Sequence, residues 1–347
     1  MTKQIKLRDI LIGGGAPVTI QSMTNTKTSD AAATVAQILR LERAGADIVR
    51  ISVNTDEAAD AVKEIRAKTT VPLVADIHFD HKLAIKSIEN GIDKVRINPS
   101  NIGDEKAVKA VVDAAKCHAV PIRVGVNGGS LDKELLDKYG LSPEALAQSA
   151  LRNVALLEKF GFYDIVISAK CSDVRMNVDV YRLLSERTDY PLHIGVTEAG
   201  SGDMALAKSY AGLGALLLDG IGDTVRISIT GDPVQEVYAA DNLLKALGIR
   251  KNFVNVISCP TCARTEINVL SLAEEVKRAT AHVQKPYTVA VMGCIVNGVG
   301  EGSHADIGIA GGKEKSALIK HGSILRIIPN ESIISELLGE MEKDFND

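Results

Sequence analysis

Along the first two thirds of the chain, short β-branched runs alternate with longer stretches whose apolar residues recur every three or four positions. The short runs occupy residues 18–23, 47–53, 72–79, 94–98, 121–126, 164–169, 191–196 and 224–229. Stretches such as 31–44, 57–68 and 106–117 carry the helical spacing, and Gly45, Gly91 and Gly161 suit left-handed C-caps. Strands that alternate with helices pair in parallel through crossovers. Eight such units in about 250 residues predict a (β/α)8 TIM-type barrel over residues 1–247. An open doubly wound sheet is the alternative, but Gly13-Gly14-Gly15 is followed by Val18, so the G-x-G-x-x-G fingerprint fails.

Within the strands one parity is apolar and the other is not. Arg50 and Ser52 alternate with Val49 and Ile51, and Asp76 and His78 with Ala75 and Ile77. Arg96 and Asn98 alternate with Val95 and Ile97, and Arg123 and Asn127 with Ile122, Val124 and Val126. Ser168, Lys170, Arg226 and Ser228 continue the pattern. If the apolar parity faces the helices, the polar parity points into the barrel near its C-terminal mouth, where barrel enzymes keep their sites. Buried charges are costly unless paired, and Asp76 with Glu198 can pair only some of these cations. Arg50, Arg96, Arg123 and Lys170 therefore read as a site for a multiply charged anion such as a phosphate. His78 and His193, taken singly, are as compatible with second-layer hydrogen bonding as with catalysis.

Composition narrows the classes. In 347 residues, 46% are hydrophobic and 24% charged, so the chain can bury cores. Aromatics are only 3% with no Trp, which argues against a base-stacking platform. A net charge of −4 gives no basic excess for coating a polyanion. The N-terminus lacks a signal-peptide core, and the longest small-and-apolar run, 211–218, is too short to span a bilayer. Five cysteines are too few for a disulfide scaffold. These features lead us to expect a cytoplasmic protein.

Residues 248–252 break the pattern and read as a linker, leaving a second domain at 253–347. Strands are expected at 254–258, 287–292, 307–310 and 322–328, and helices at 266–282 and 332–342. The chemistry here is sulfur: Cys259-Pro260-Thr261-Cys262, and Cys294 at the head of a Gly-rich loop. A plain redox dithiol would not want the third cysteine. Zinc would want a fourth Cys or His, and an iron–sulfur cluster a fourth ligand of some kind. Glu301, His304 and Asp306 all follow Cys294, and spacing does not rank them, so zinc on three Cys and His304 stays open beside a cluster. Cys117 and Cys171 read as ordinary thiols, although Cys171 could line the site.

These residues resemble those of a known family. Ser258-Cys259-Pro260-Thr261-Cys262, Gly293-Cys294 and Asn297-Gly298-Val299-Gly300-Glu301 are similar to the cluster signature of the 4-hydroxy-3-methylbut-2-enyl diphosphate synthases. The barrel agrees at Gln21-Ser22-Met23-Thr24-Asn25-Thr26, Ala75-Asp76-Ile77-His78-Phe79, Arg96-Ile97-Asn98-Pro99, Gly125-Val126-Asn127, Thr197-Glu198-Ala199-Gly200 and Gly220-Ile221-Gly222-Asp223-Thr224. Val299 stands where the family pattern has Pro. The resemblance covers nearly the whole chain and matches the two-domain bacterial form of the methylerythritol phosphate pathway enzyme.

The resemblance implies a 4Fe-4S cluster on Cys259, Cys262, Cys294 and Glu301, in a small α/β iron–sulfur domain. It implies an oxidoreductase of isoprene biosynthesis that opens 2-C-methyl-D-erythritol 2,4-cyclodiphosphate with two electrons and loss of water. Flavodoxin or ferredoxin would be the electron donor. It also implies a homodimer in which one subunit's cluster domain caps the other's barrel. Arg50, Arg96, Arg123 and Lys170 would then clamp the cyclic diphosphate, with Asn98 and Asn127 adding neutral hydrogen bonds. Glu198 is the expected proton donor, with Asp76 and His78 behind it. The rivals are a barrel lyase or synthase for a phosphorylated or pterin-like substrate with a structural zinc domain, and a non-catalytic iron–sulfur carrier.

Overall fold

The computed structural model describes residues 1–131 and 133–346, and only the backbone of Ser130, Asn297, Val299 and Glu301. The chain divides into two compact units, Met1–Ile249 and Arg250–Asp347.

The first unit opens with a hairpin that the sequence pattern did not announce. Strands β1 (Ile5–Leu7) and β2 (Ile10–Ile12) pair antiparallel, with Arg8 turning the chain at positive φ. Each is too short to show a period of its own. There follow β3 (Thr19–Met23), β4 (Ile48–Ser52), β5 (Leu73–Asp76), β6 (Lys94–Ile97), β7 (Ile122–Asn127), β8 (Ile165–Lys170), β9 (His193–Ile194) and β10 (Thr224–Val225). Among the described residues these form one eight-stranded parallel sheet ordered β8-β7-β6-β5-β4-β3-β10-β9, and a parallel bridge between Ile167 and Leu192 brings its ends together. The barrel is present as expected. The last two strands are shorter than their apolar runs, ending at Ile194 and Val225.

Most intervening helices start on a side-chain cap. Asp30, Thr55, Asp104, Ser142 and Asp173 each accept a backbone N–H three residues on. The apolar strand parity, including Val49, Ile51, Ala75, Val95, Ile97, Ile122 and Val124, is buried in one core with the apolar helix faces. The opposite parity lines the lumen. At its N-terminal end, Ile48 and Val74 pack with Leu7 and Ile12, so the hairpin is an apolar plug under the barrel.

The second unit holds β11 (Val254–Ser258), β12 (Tyr287–Met292), β13 (Ile307–Ala310), β14 (Lys315–Lys320) and β15 (Ser323–Pro329) in that spatial order. The first three are parallel and the last two antiparallel. Helices Val269–Thr280 and Ile333–Asn346 share a core with Val289, Val291, Ile307, Ile309 and Leu318. β14 was not expected; lysines bound it at both ends, and the run between them is short. No described helix is long and apolar enough to cross a membrane.

Candidate functional site

Strand register assembles the barrel site. Ser52, Asp76, Arg96 and Arg123 stand at matched positions on β4, β5, β6 and β7. Two arginines and a histidine thereby converge on one carboxylate. Asp76 lies 3.7 Å from Arg50 Nε and 3.1 Å from Arg96 Nη1, with His78 Nε2 at 3.4 Å. Asp76 is 4% exposed, and burial alone would raise its pKa. The Arg50 guanidinium, the His78 hydrogen bond, Arg96 and Arg123 overcome this and hold it well below the usual carboxylate range. An acid so held carries no proton at neutral pH, so Asp76 serves as counter-ion here.

A cavity of about 210 Å³ is lined by Arg50, Arg96, Arg123, Lys170 and Arg226, with Asp76, His78, Asn127, Ser168, Thr197 and Ser228 completing the wall. Arg226 joins the four cations expected as a clamp. Its guanidinium meets both oxygens of Glu236, at 3.0 and 3.3 Å, and Glu236 also accepts from Ser22 Oγ and Ile229 N–H. The second compensating acid is therefore Glu236, from helix Pro233–Ala246, and not Glu198. Sequence gave it no mark, since a Glu in a first helical turn usually faces solvent.

The remaining cations are under-compensated. Burial, then Arg50 and Arg96, lower the Arg123 pKa, although Asp76 opposes. Burial pushes Arg50 down to about 10. Burial, then Arg123, Arg226, Arg50 and Arg96, depress Lys170 well below an ordinary lysine. Arg123 Nε and Nη1 and Arg96 Nε are buried without a hydrogen-bond partner among the described residues. Buried donors of this kind are normally satisfied, and a polyanion would satisfy them.

Two glycines make room for the cations. A Cβ on Gly125 would overlap Arg96 Nε and lie 2.9 Å from its Cζ; one on Gly195 would lie 2.5 Å from Lys170 Nζ. Glycine inside a strand is the signal that could have marked both seats.

The other expected residues fall as follows. Asn127 lines the cation cavity. Asn98 does not: it is buried at the start of the 3-10 turn Pro99–Asn101, its amide atoms unpartnered among the described residues. Glu198, at φ +52°, lines a second cavity of about 510 Å³ with Cys171, Ser172 and Phe79, whose walls share His78, Asn127 and Thr197 with the first. His193 is fully buried, its pKa pushed well down by burial and then by Lys170 and Arg123.

In the second unit, Cys259 follows β11, and Cys294 comes two residues after β12. The strands pair in parallel with Ser258 opposite Val291, so both thiols sit at one sheet end. Gly293 N–H donates to Cys259 Sγ at 3.2 Å, Glu266 N–H to Gly293 O, and Cys262 N–H to Thr265 Oγ1. Cys262 is exposed, and the Arg264 backbone N–H lowers its thiol pKa. A Cβ on Gly293 would lie 2.9 Å from Thr265 Cγ2, and one on Gly298 would overlap the Ala310 Cβ. The chain on either side of Cys294 thus packs against its neighbours more closely than a side chain would allow. Two thiols at one sheet end, one of them accepting a backbone N–H, with a third on the same Cys-x-x-Cys loop, are a donor set whose chemistry suits an iron–sulfur group. Among the described residues, no three His, Cys, Asp or Glu side chains are gathered closely enough to hold a metal ion. The Glu301 side chain lies outside the described residues, His304 is exposed, and the Asp306 carboxylate is engaged by Thr288 N–H.

Comparison with known proteins places both units. Residues 2–241 match the family model "GcpE TIM-barrel domain" and residues 255–343 "GcpE protein C-terminal domain". A protein of Caldanaerobacter subterraneus called 4-hydroxy-3-methylbut-2-en-1-yl diphosphate synthase (flavodoxin) is 56% identical, over 99% of this chain and 97% of that one. Its namesake from Anoxybacillus flavithermus is 51% identical over 99% and 94%, and that of Geobacter sulfurreducens 51% over 99% and 97%. Among solved structures, a Xanthomonas albilineans dihydropteroate synthase aligns at TM-score 0.50 with 14% identity, covering 72% of this chain and 99% of its own. A truncated 3-deoxy-D-arabino-heptulosonate 7-phosphate synthase from Thermotoga maritima aligns at 0.51 with 13% identity, over 71% and 94%. At such identity these two speak for the barrel fold alone.

Proposed function

The chain belongs to the GcpE family, and on that premise we propose that it reduces 2-C-methyl-D-erythritol 2,4-cyclodiphosphate to 4-hydroxy-3-methylbut-2-enyl diphosphate. The observation that carries the reading is the cavity with five cations and one lining carboxylate. A cyclic diphosphate is a compact dianion that suits such a wall.

Ring opening consumes two electrons and a proton, breaks the carbon–oxygen bond to one ring phosphate and expels a hydroxyl as water. The released phosphate oxygen gains charge as that bond breaks. Arg50, Arg96, Arg123 and Arg226 already stand around it, so stabilisation grows with the charge and needs no rearrangement. Lys170 stands in the same wall and becomes a further donor once protonated. Glu198, across the shared wall of His78, Asn127 and Thr197, is the proposed acid for the departing hydroxyl. Cys259, Cys262, Cys294 and Glu301 would hold a 4Fe-4S cluster, whose chemistry when bound is the supply of single electrons. Flavodoxin is the proposed donor, and the protein is proposed to work as a homodimer.

The test is anaerobic purification with iron, sulfide and zinc analysis, then turnover of the cyclic diphosphate with reduced flavodoxin. Iron and sulfide with formation of the linear diphosphate support the proposal; stoichiometric zinc without iron, and no turnover, would end it.

A further inference from the structure

Below the cation cavity the lumen holds a second polar layer. Lys94, the first residue of β6, shares the parity of Arg96 and is opposite Val74 of the apolar plug. It is 0% exposed, and its Nζ has no hydrogen-bond partner among the described residues. Thr19, Gln21, Arg123 and His193, all of lumen parity, also carry buried polar atoms without described partners.

The charged and titratable groups around Lys94 are Arg123 from β7 and His193 from β9. Lys170, Arg50 and Asp76 stand nearer the mouth, at or toward the ends of β8, β4 and β5. Neighbouring Asp93 has the other parity and is taken up by Leu73 N–H, Arg66 and Arg8. Among the described residues, no carboxylate therefore balances an ammonium at Lys94. Burial, then Arg123, brings its pKa down to about 7.

We propose that Lys94 takes up a proton from solvent when the cyclic diphosphate binds. The proposal rests on the functional reading above. The step is R–NH₂ + H⁺ → R–NH₃⁺; no bond of the ligand changes. In the free protein above about pH 7 the amine is mostly neutral and adds little to the crowd of cations. Once the dianion arrives, each of its charges raises the lysine pKa by about one unit, for a separation of ~10 Å and an effective dielectric of ~20. The cationic well thus deepens only when an anion is there to fill it.

The experiment is isothermal titration of the cyclic diphosphate into the full-length protein near pH 8, in buffers of differing ionisation enthalpy. Wild-type protein should take up most of one proton more than Lys94→Met, and the variant should bind roughly tenfold more weakly. The difference in uptake should fade below about pH 6, where the free amine is already protonated, while the difference in affinity should widen, because the charge is then present before the ligand arrives. Lys94→Gln, checked by circular dichroism and thermal melting alongside Lys94→Met, should behave alike. Equal uptake in wild type and variants assigns the proton to Lys170 or His193 and overturns the proposal. Binding by wild type without uptake at pH 8 overturns it with no variant needed. Absence of binding sinks the functional reading itself, and this inference with it.

Discussion

Gly125→Ala tests the barrel site without touching a charge. The added Cβ falls on Arg96 Nε and lies 2.9 Å from both Cζ and Nη2. These atoms are not a free end that can swing aside. Nη1 is held by Asp76 at 3.1 Å, and Nη2 donates to Gly125 O at 3.2 Å. Arg96 must leave its seat, giving up one contact to a carboxylate and one to a carbonyl. Overpacking of this kind costs about 1–3 kcal/mol of stability. The loss of a charge-assisted contact to the ligand adds about 2–3 kcal/mol to binding. The second figure corresponds to a rise in KM of roughly 30- to 150-fold.

The assay is steady-state turnover of the cyclic diphosphate by wild type, Gly125→Ala, Arg96→Met and the double variant. If the methyl acts through Arg96, the two single changes must not add. On the Arg96→Met background, Gly125→Ala should change KM by no more than about twofold, because the flexible methionine can yield. Full additivity, or a Gly125→Ala enzyme with wild-type KM, would refute the seat-and-guanidinium argument. Unchanged iron content across the series shows that the second unit is not the source of any loss.

Asp76→Asn should destabilise the ligand-free protein by about 3 kcal/mol, since it strips Arg50 and Arg96 of their shared partner. The Asp76 pKa is depressed on folding, so its contribution is complete above the ordinary carboxylate range and is lost only as pH falls through the lowered value. Urea unfolding should thus show a constant gap between wild type and variant from pH 6 to 8; a gap that closes in that interval contradicts the assignment. Glu198→Gln should lower kcat by about 10²- to 10⁴-fold with KM nearly unchanged; an effect confined to KM would make Glu198 a binding residue. Glu301→Ala should lose or degrade the visible absorption while calorimetric binding of the cyclic diphosphate persists, and an intact, fully active cluster would exclude Glu301 as ligand.

What could be read from sequence was what depends on short-range geometry. Strand alternation sends Arg50, Arg96, Arg123 and Lys170 to one side of the sheet whatever the rest of the chain does. The Cys-x-x-Cys spacing is equally local, whereas Cys294 joins Cys259 at one sheet end only because the two strands that precede them pair in parallel. What was not legible depends on contacts between elements or on segments too short or too bent to show a period. Glu236 reaches Arg226 only because helix Pro233–Ala246 lies against the mouth. Asn98 has the right parity, yet the chain bends into a 3-10 turn at Pro99 and buries it. The plug of Leu7 and Ile12 comes from strands of three residues, which have no period to read.

The charges at the mouth also explain why the site is built this way. Five cations line the cavity, and among the described residues the carboxylates they pair with are Asp76 and Glu236. The surplus is three positive charges if Lys170 is protonated and two if burial keeps it neutral. A neutral ligand would leave that surplus in place, and a monoanion would cancel only part of it. A dianion matches the lower figure, and the product, with one further ionised oxygen, matches the higher. Mutual repulsion therefore lowers the stability of the empty barrel and is relieved on binding, most fully as the phosphate oxygen is released. The glycine seats, the apolar plug and the buried helix carboxylate hold the cations apart from water and close to one another. The wall thus selects by charge and by the change of charge along the reaction, and needs few shape-specific contacts to the carbon skeleton.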